Sequence, residues 1–212
     1  EDEKMLQIFK EGKDIHQATA AAMNGVPESE VTKAMRYAAK EVNFGVLYGM
    51  GAHGLSWRAG IPYWQAQEFI KKYFEEFAGV KKYVDQTLVF AKKEGYVETL
   101  FGRRRYIPEL KSDNFQLRSA GERMAINMPI QGTAADLMKM AMIAVNDRLT
   151  ADSLRLTAKM ILQVHDELVL EVKEGMEKEV GDIVKEAMEG IAKLRVPIEV
   201  HVSHGKRWGE IK

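Results

Sequence analysis

Two short apolar runs placed close together constrain this chain more than any other feature. Residues 160–164 (Met-Ile-Leu-Gln-Val) and 168–172 (Leu-Val-Leu-Glu-Val) flank the tripeptide His165-Asp166-Glu167. Apolar, β-branched runs of this length on either side of a short polar link read as a β-hairpin. That hairpin is expected to be buried, with two adjacent carboxylates, Asp166 and Glu167, at its tip. Elsewhere helical spacing dominates. Helices are predicted over 5–23 (broken near 12–14, where Asp14 can cap the second piece), 28–48, a stretch opening at Pro62, and 80–94. Others cover 112–127, 132–149 after an interruption at Pro129, and 174–194, with short strands at 96–100 and 198–202. A helical first part followed by a mixed last third is an α+β organisation.

Composition narrows the function classes. The chain has 212 residues and no cysteine, which excludes disulfides and thiolate metal sites and fits a cytosolic protein. No apolar run approaches the roughly 20 residues needed to cross a bilayer, so no membrane partner is expected. The start, Glu1-Asp2-Glu3-Lys4, has no signal-peptide pattern. Thirty-one basic residues balance 31 acidic ones. That argues against a surface that coats nucleic acid everywhere but leaves room for a local basic groove.

Arg36, Lys40, Phe44 and Tyr48 recur every four residues on the predicted 28–48 helix. At 3.6 residues per turn they share one broad face. Two cations precede two aromatics, and a nucleoside triphosphate has a matching layout of anionic tail, sugar and base. Arg36 can fork onto phosphate oxygens, Lys40 can offer a charge or a proton, and the rings can bound the sugar and base. The same spacing also suits an amphipathic helix with core aromatics and solvated cations. Gly45 and Gly49 beside this face favour a close approach to the backbone, because glycine costs about 1 kcal/mol in a helix.

The carboxylates at the hairpin tip suit nucleotidyl transfer. Mg²⁺ takes oxygen ligands from one or two carboxylates plus phosphates, and two ions about 4 Å apart can activate a 3′-hydroxyl and stabilise pyrophosphate. A polar turn joining two core strands is the plainer alternative. His165 could ligate metal too, although no second histidine lies at helical ligand spacing nearby.

Together these segments resemble the family A, or polymerase I-like, DNA polymerases. Residues 36–49 (Arg-Tyr-Ala-Ala-Lys-Glu-Val-Asn-Phe-Gly-Val-Leu-Tyr-Gly) resemble that family's motif B, and residues 163–168 its motif C. Residues 14–16, 95–105 and 123–136 match in the same order, so the resemblance covers nearly the whole chain. It implies a helical fingers subdomain over 1–124 and the C-terminal half of an antiparallel palm, with its packing helices, over 125–212. It also implies template-directed DNA synthesis with dNTP and primer–template DNA as partners, in the cytoplasm of a bacterial or phage-infected cell, at the nucleoid.

The resemblance assigns roles by position. His16, Arg36 and Lys40 would contact the triphosphate, with Lys40 the general acid for pyrophosphate. Phe44 would pack on the deoxyribose, and Tyr48 would stand at the templating position. Asp166 would bind the metals with support from Glu167, and His165 would lie at the primer terminus. Arg123, Asn127 and Gln131 would line the minor groove, where acceptors are common to all base pairs. Arg105 would reach a template or primer phosphate, with Arg103 and Arg104 left as solvated surface.

The family's motif A, source of another metal-binding aspartate, finds no match; it is expected just upstream of residue 1. Glu1-Asp2-Glu3 lacks a flanking strand pattern. The chain therefore reads as a polymerase piece that needs a complementary fragment carrying thumb, N-terminal palm and motif A. Alone it is expected to be inactive and to expose a sheet edge and an apolar face. A non-catalytic nucleotide- or DNA-binding module is the alternative. A single-strand binder would not need the carboxylates, and a nuclease has no evident use for the Arg36–Tyr48 face.

Overall fold

Side-chain caps set where the first helices begin. Asp2 accepts the backbone N–H of Met5 at 2.9 Å and starts α1 (Glu3–Lys10). Its other oxygen takes the N–H of Gly79 at 2.7 Å, pinning the helix start to a distant turn. Asp14 caps α2 (Ile15–Asn24) by accepting from His16 and Gln17, and Gly25 closes that helix in the left-handed region. The computed structural model describes residues 2–151 and 157–211, so Glu1 of the acidic N-terminal cluster lies outside the described residues.

The expected helix over 28–48 is two elements. A 3-10 turn at Glu28–Glu30 ends at Val31, and α3 (Lys33–Leu47) begins afresh where the Thr32 hydroxyl accepts Met35 N–H at 3.2 Å. There follow α4 (Ala52–Ala59), α5 (Tyr63–Glu76) and α6 (Ala78–Glu94). Their shared core holds Ala20, Met23, Ala39, Val42, Val46, Leu55, Tyr73 and Phe77. Burial pushes the Tyr73 phenol up to about 12, as expected for a hydroxyl whose anion would be costly there.

The basic run after residue 100 is part of a second strand. Tyr96–Glu98 (β1) pairs antiparallel with Arg104–Tyr106 (β2), Glu98 opposite Arg104. Arg104 is held by Glu98 at 2.6 Å and lies 4.6 Å from the Tyr96 ring centroid, so it is not simply solvated.

Helix α7 (Phe115–Ala151) starts where Asn114 accepts the N–H groups of Gln116 and Leu117. It runs through Pro129 instead of stopping there. Proline removes one backbone donor, yet both neighbouring turns are tied by hydroxyls. Tyr83 donates to Ile126 O at 2.8 Å, and Thr133 to Pro129 O at 2.5 Å. Gly132 admits Thr99, whose Cγ2 would stand 2.6 Å from any added Cβ.

The chain divides into compact units at Thr133/Ala134, within α7. In the second unit β3 (Ala158–Val164) and β4 (Glu167–Val172) form the expected hairpin, with a bulge between Met160 and Leu162. One side packs with α8 (Glu177–Glu189) around Val145, Leu149, Val180 and Val184. The other is not buried: Ile161 and Leu162 are 54% and 41% exposed. No strand forms at 198–202. Exposure alternates only as far as His201, Val202 being 49% exposed, and Val200 N–H goes to the Glu189 carboxylate at 3.0 Å while Pro197 has no donor to give. The fold is thus α+β, mostly helical, with two small antiparallel sheets. No helix among the described residues is long and apolar enough to cross a membrane.

Candidate functional site

Helix α3 buries one stripe and displays another. Ala39, Val42, Asn43 and Val46 face the core at positions i, i+3, i+4 and i+7. Arg36, Lys40, Phe44 and Tyr48 stand off that stripe. Phe44 is 47% exposed, so it is not a core aromatic. Lys40 is exposed, and Arg36 and Tyr48 are half-buried. The Phe44 and Tyr48 rings run along the row with centroids 6.4 Å apart, and His16 of α2 lies 5.5 Å from Phe44. One face of the first unit therefore carries five of the expected nucleotide-site residues.

Arg36 and His16 on this face are already bonded. Arg36 Nε and Nη2 donate to Asp14 Oδ2 at 2.8 and 2.5 Å. Burial opposes charge on Asp14, but the Arg36 guanidinium and the amides of Gln17 and His16 outweigh it and hold the carboxyl below its ordinary value. Asn43 Nδ2 lies 2.9 Å from His16 Nδ1 and 3.1 Å from Thr19 Oγ1. Burial lowers the His16 pKa; Asp14 opposes this, and the charges of Arg36 and Lys40 add to it. Burial and the two cations thus favour the uncharged ring.

Asn43 and Thr19 were not among the residues expected here. Both are buried, and an unpaired buried amide would cost about 1–3 kcal/mol. An asparagine in an otherwise apolar stripe was the sequence signal that could have found them.

The two glycines have partners within the protein. A Cβ on Gly45 would meet Met50 Sδ at 3.0 Å. Gly49 has φ +76°, and a Cβ there would meet Ile126 and Arg123 of α7 at 3.2 and 3.3 Å. Next to it a cavity of about 500 Å³ is lined by Gly49, Met50, Ile70, Phe74 and Arg123, among others.

Arg123, Asn127 and Gln131 follow the same four-residue spacing along α7. Arg123 is exposed and donates to Ser119 Oγ at 2.9 Å. Asn127 Oδ1 is buried and accepts no hydrogen bond among the described residues, and Gln131 is exposed. Arg105 is exposed, and its Nη2 lies 3.5 Å from Met124 Sδ.

In the second unit the hairpin turn is His165-Asp166, and Glu167 is already the first residue of β4, opposite Val164. His165 takes φ 52°, a left-handed conformation uncommon for a residue with a side chain. Gln163 Nε2 braces the turn by donating to His165 O at 2.6 Å. Both carboxylates are exposed. Their hard oxygen donors suit Mg²⁺, but no third acidic or histidine ligand joins them among the described residues.

Comparison with known proteins gives a consistent picture. The family profile described as DNA polymerase family A matches residues 1–210. The chain is 52% identical over 207 residues to the thermostable DNA polymerase I of Thermus aquaticus, covering 98% of this chain and 24% of that protein. It is 49% identical over 212 residues to DNA polymerase I of Deinococcus radiodurans, covering 100% of this chain and 22% of that protein. The chain thus spans about a quarter of the length of the curated relatives it matches. Among solved structures, the POL domain of Pol1 from M. smegmatis, in complex with DNA primer-template and dNTP, superposes with a TM-score of 0.92. It is 42% identical, and the match covers 98% of this chain and 36% of that one.

Proposed function

The chain belongs to the family A DNA polymerases, and from that premise we propose that it carries the nucleotide-gripping part and one carboxylate pair of a template-directed DNA polymerase. The observation that carries this reading is the displayed row Arg36, Lys40, Phe44 and Tyr48, with His16 beside it, standing clear of the α3 core stripe. Residues 1–124 act as fingers and 125–212 as the C-terminal half of the palm.

In this reading Arg36 and His16 bind the phosphates of a dNTP, and Lys40 gives a proton to the departing pyrophosphate. Phe44 bounds the sugar, and Tyr48 stacks at the templating position until the nucleotide arrives. Arg123, Asn127 and Gln131 check the minor groove of the primer end. The acceptors common to all base pairs there call for donors, which the Arg123 guanidinium and the side-chain amides of Asn127 and Gln131 can supply. Arg105 holds a backbone phosphate, and His165 borders the primer terminus. Asp166, supported by Glu167, would hold two Mg²⁺ ions together with a motif A aspartate outside these 212 residues. Bound there, Mg²⁺ would acidify the primer 3′-hydroxyl and neutralise charge on the pyrophosphate.

Because two adjacent carboxylates are too few ligands for two ions, the 212 residues alone are inactive and need a fragment with thumb, N-terminal palm and motif A. The test is primer extension by the purified chain with and without that fragment. Extension is expected only with both, and robust synthesis by the isolated chain would overturn the proposal. Specific dNTP binding without any synthesis by the reconstituted pair would point instead to a non-catalytic binding module.

A further inference from the structure

We infer that Asn43 is a positioning residue that holds His16 in the tautomer with its proton on Nε2, so that the ring offers an N–H donor to a phosphate oxygen of the incoming nucleotide. The inference rests on the triphosphate reading of the α3 face and adds a residue and a protonation state to it.

The orientation of the Asn43 amide sets the arrangement, because it is Nδ2, a donor with no lone pair to offer, that faces His16 Nδ1. Thr19 has a single hydroxyl proton, and it goes to Ile15 O at 2.7 Å. Thr19 Oγ1 lies 3.1 Å from both Oδ1 and Nδ2 of Asn43. With its proton committed it can only accept, so its partner is the Nδ2 amide. The other Nδ2 proton then points the bond at His16 Nδ1, 2.9 Å away. A nitrogen that accepts carries no proton, so the neutral ring carries its proton on Nε2. Turning the amide over would leave the Thr19 bond possible but set Oδ1 against His16 Nδ1, which would call for the opposite tautomer, so the orientation of the amide and the position of the ring proton are tied. Asn43 is buried, so water does not stand in for either partner.

This state suits an anion. The opposite tautomer would present a lone pair at Nε2 and repel phosphate oxygens. Burial keeps the ring uncharged, and Arg36 and Lys40 on α3, acting with it, outweigh Asp14 at the helix cap. Charge is therefore supplied by the two cations and direction by the neutral N–H. Asn43 also ties α2 to α3, so the donor moves with the row it serves.

The experiment uses the intact polymerase that contains this chain, labelled with ¹⁵N in the histidine rings. Two-bond ¹H–¹⁵N correlation at about pH 8, where an unperturbed imidazole is neutral, reads the tautomer directly, and His16→Gln assigns the signal. The expected spectrum has a pyridine-type Nδ1 and a protonated Nε2. Asn43→Asp, nearly the same size, replaces the donor with an acceptor and should move the proton to Nδ1. Binding of dTTP opposite a template adenine, on a primer ended with a dideoxynucleotide, should weaken about tenfold or more in both variants, with primer–template affinity unchanged. An Nδ1-protonated ring in the unaltered protein overturns the inference even if His16→Gln weakens dTTP binding. Unchanged dTTP binding in His16→Gln overturns it as well, and counts against the triphosphate reading itself. The spectrum of the unaltered protein decides the tautomer even if Asn43→Asp fails to fold.

Discussion

The face of α3 and the tip of the β3–β4 hairpin are built in opposite ways. On α3, Arg36 is bonded to Asp14 and His16 to Asn43, and only Lys40 of the cations makes no ion pair among the described residues. The first unit supplies those partners from its own helices, so the site is organised before any ligand arrives. At the hairpin, Asp166 and Glu167 are exposed, and what is fixed is the backbone: a left-handed His165 braced by Gln163. On the proposed reading the hairpin is a platform whose metal ligands are completed from elsewhere. Loss of one α3 side chain should therefore cost less activity than loss of the hairpin's Asp166.

The largest expected effect tests that contrast. In the intact polymerase, Asp166→Ala should cut primer extension by at least about 10²–10³-fold, the scale of removing one preorganised electrostatic group. It should leave dNTP binding to the fingers nearly unchanged. Lys40→Ala should cost about 10²-fold, the lower range for a general acid, and should weaken dNTP binding as well. Single-turnover rates measured beside equilibrium dNTP titrations separate the two. Similar losses of binding in both variants would mean that the sites are not divided as described.

Much of this was legible in the sequence because local chemistry decided it. Asp14 as a cap, the helix over 80–94 and the apolar runs flanking 165–167 each carry their own physical reason. Three features depended on tertiary partners. Pro129 reads as a stop, and it takes hydroxyls from Tyr83 and Thr133 to hold the turns beside it. Residues 198–202 alternate like a strand, but strand formation needs a neighbour, and Val200 bonds a glutamate side chain instead. The α3 row was visible as a spacing, whereas the bonds that prepare it reach across 22 to 27 residues and involve Asn43, whose role no periodicity reveals. The break before α3 was the avoidable miss, since Thr32 is a common cap residue.

A smaller change should sharpen the idea of a prepared site. Asp14 competes with phosphate for Arg36, and the ion pair is only partly shielded, with side-chain exposures of 42% and 40%. Such pairs are worth about 1 kcal/mol or less. Asp14→Asn keeps a good helix cap and removes the competing charge. Triphosphate binding should tighten up to about fivefold, the equivalent of about 1 kcal/mol. The gain should shrink with added salt. Weaker binding in Asp14→Asn would mean that the carboxylate orients Arg36 for the nucleotide and does not hold it in reserve.

The smallest effect lies in the pH dependence of local stability. His16 has a folded-state pKa below its ordinary value, mainly through burial, with Arg36 and Lys40 adding to it and Asp14 opposing. The open state of α2 and α3 therefore binds the His16 proton more readily than the closed state. Closed-state stability should be full above the ordinary histidine value of about 6.5 and should fall as pH drops through it. The slope is limited to one proton, about 1.4 kcal/mol per pH unit at most. Asp14, depressed in the fold, contributes in the same direction but only near and below the ordinary carboxylate value of about 3.9, so the His16 contribution begins to fall at a higher pH. Native-state hydrogen exchange at the core amides of Ala20 and Val42, corrected for intrinsic rates, reads this slope locally. His16→Gln should flatten it between about pH 7 and 5, while exchange at Val180 and Val184 of the hairpin unit stays unchanged. A slope that survives in His16→Gln would place the titrating group elsewhere and remove the case for a neutral His16 donor beside the α3 row.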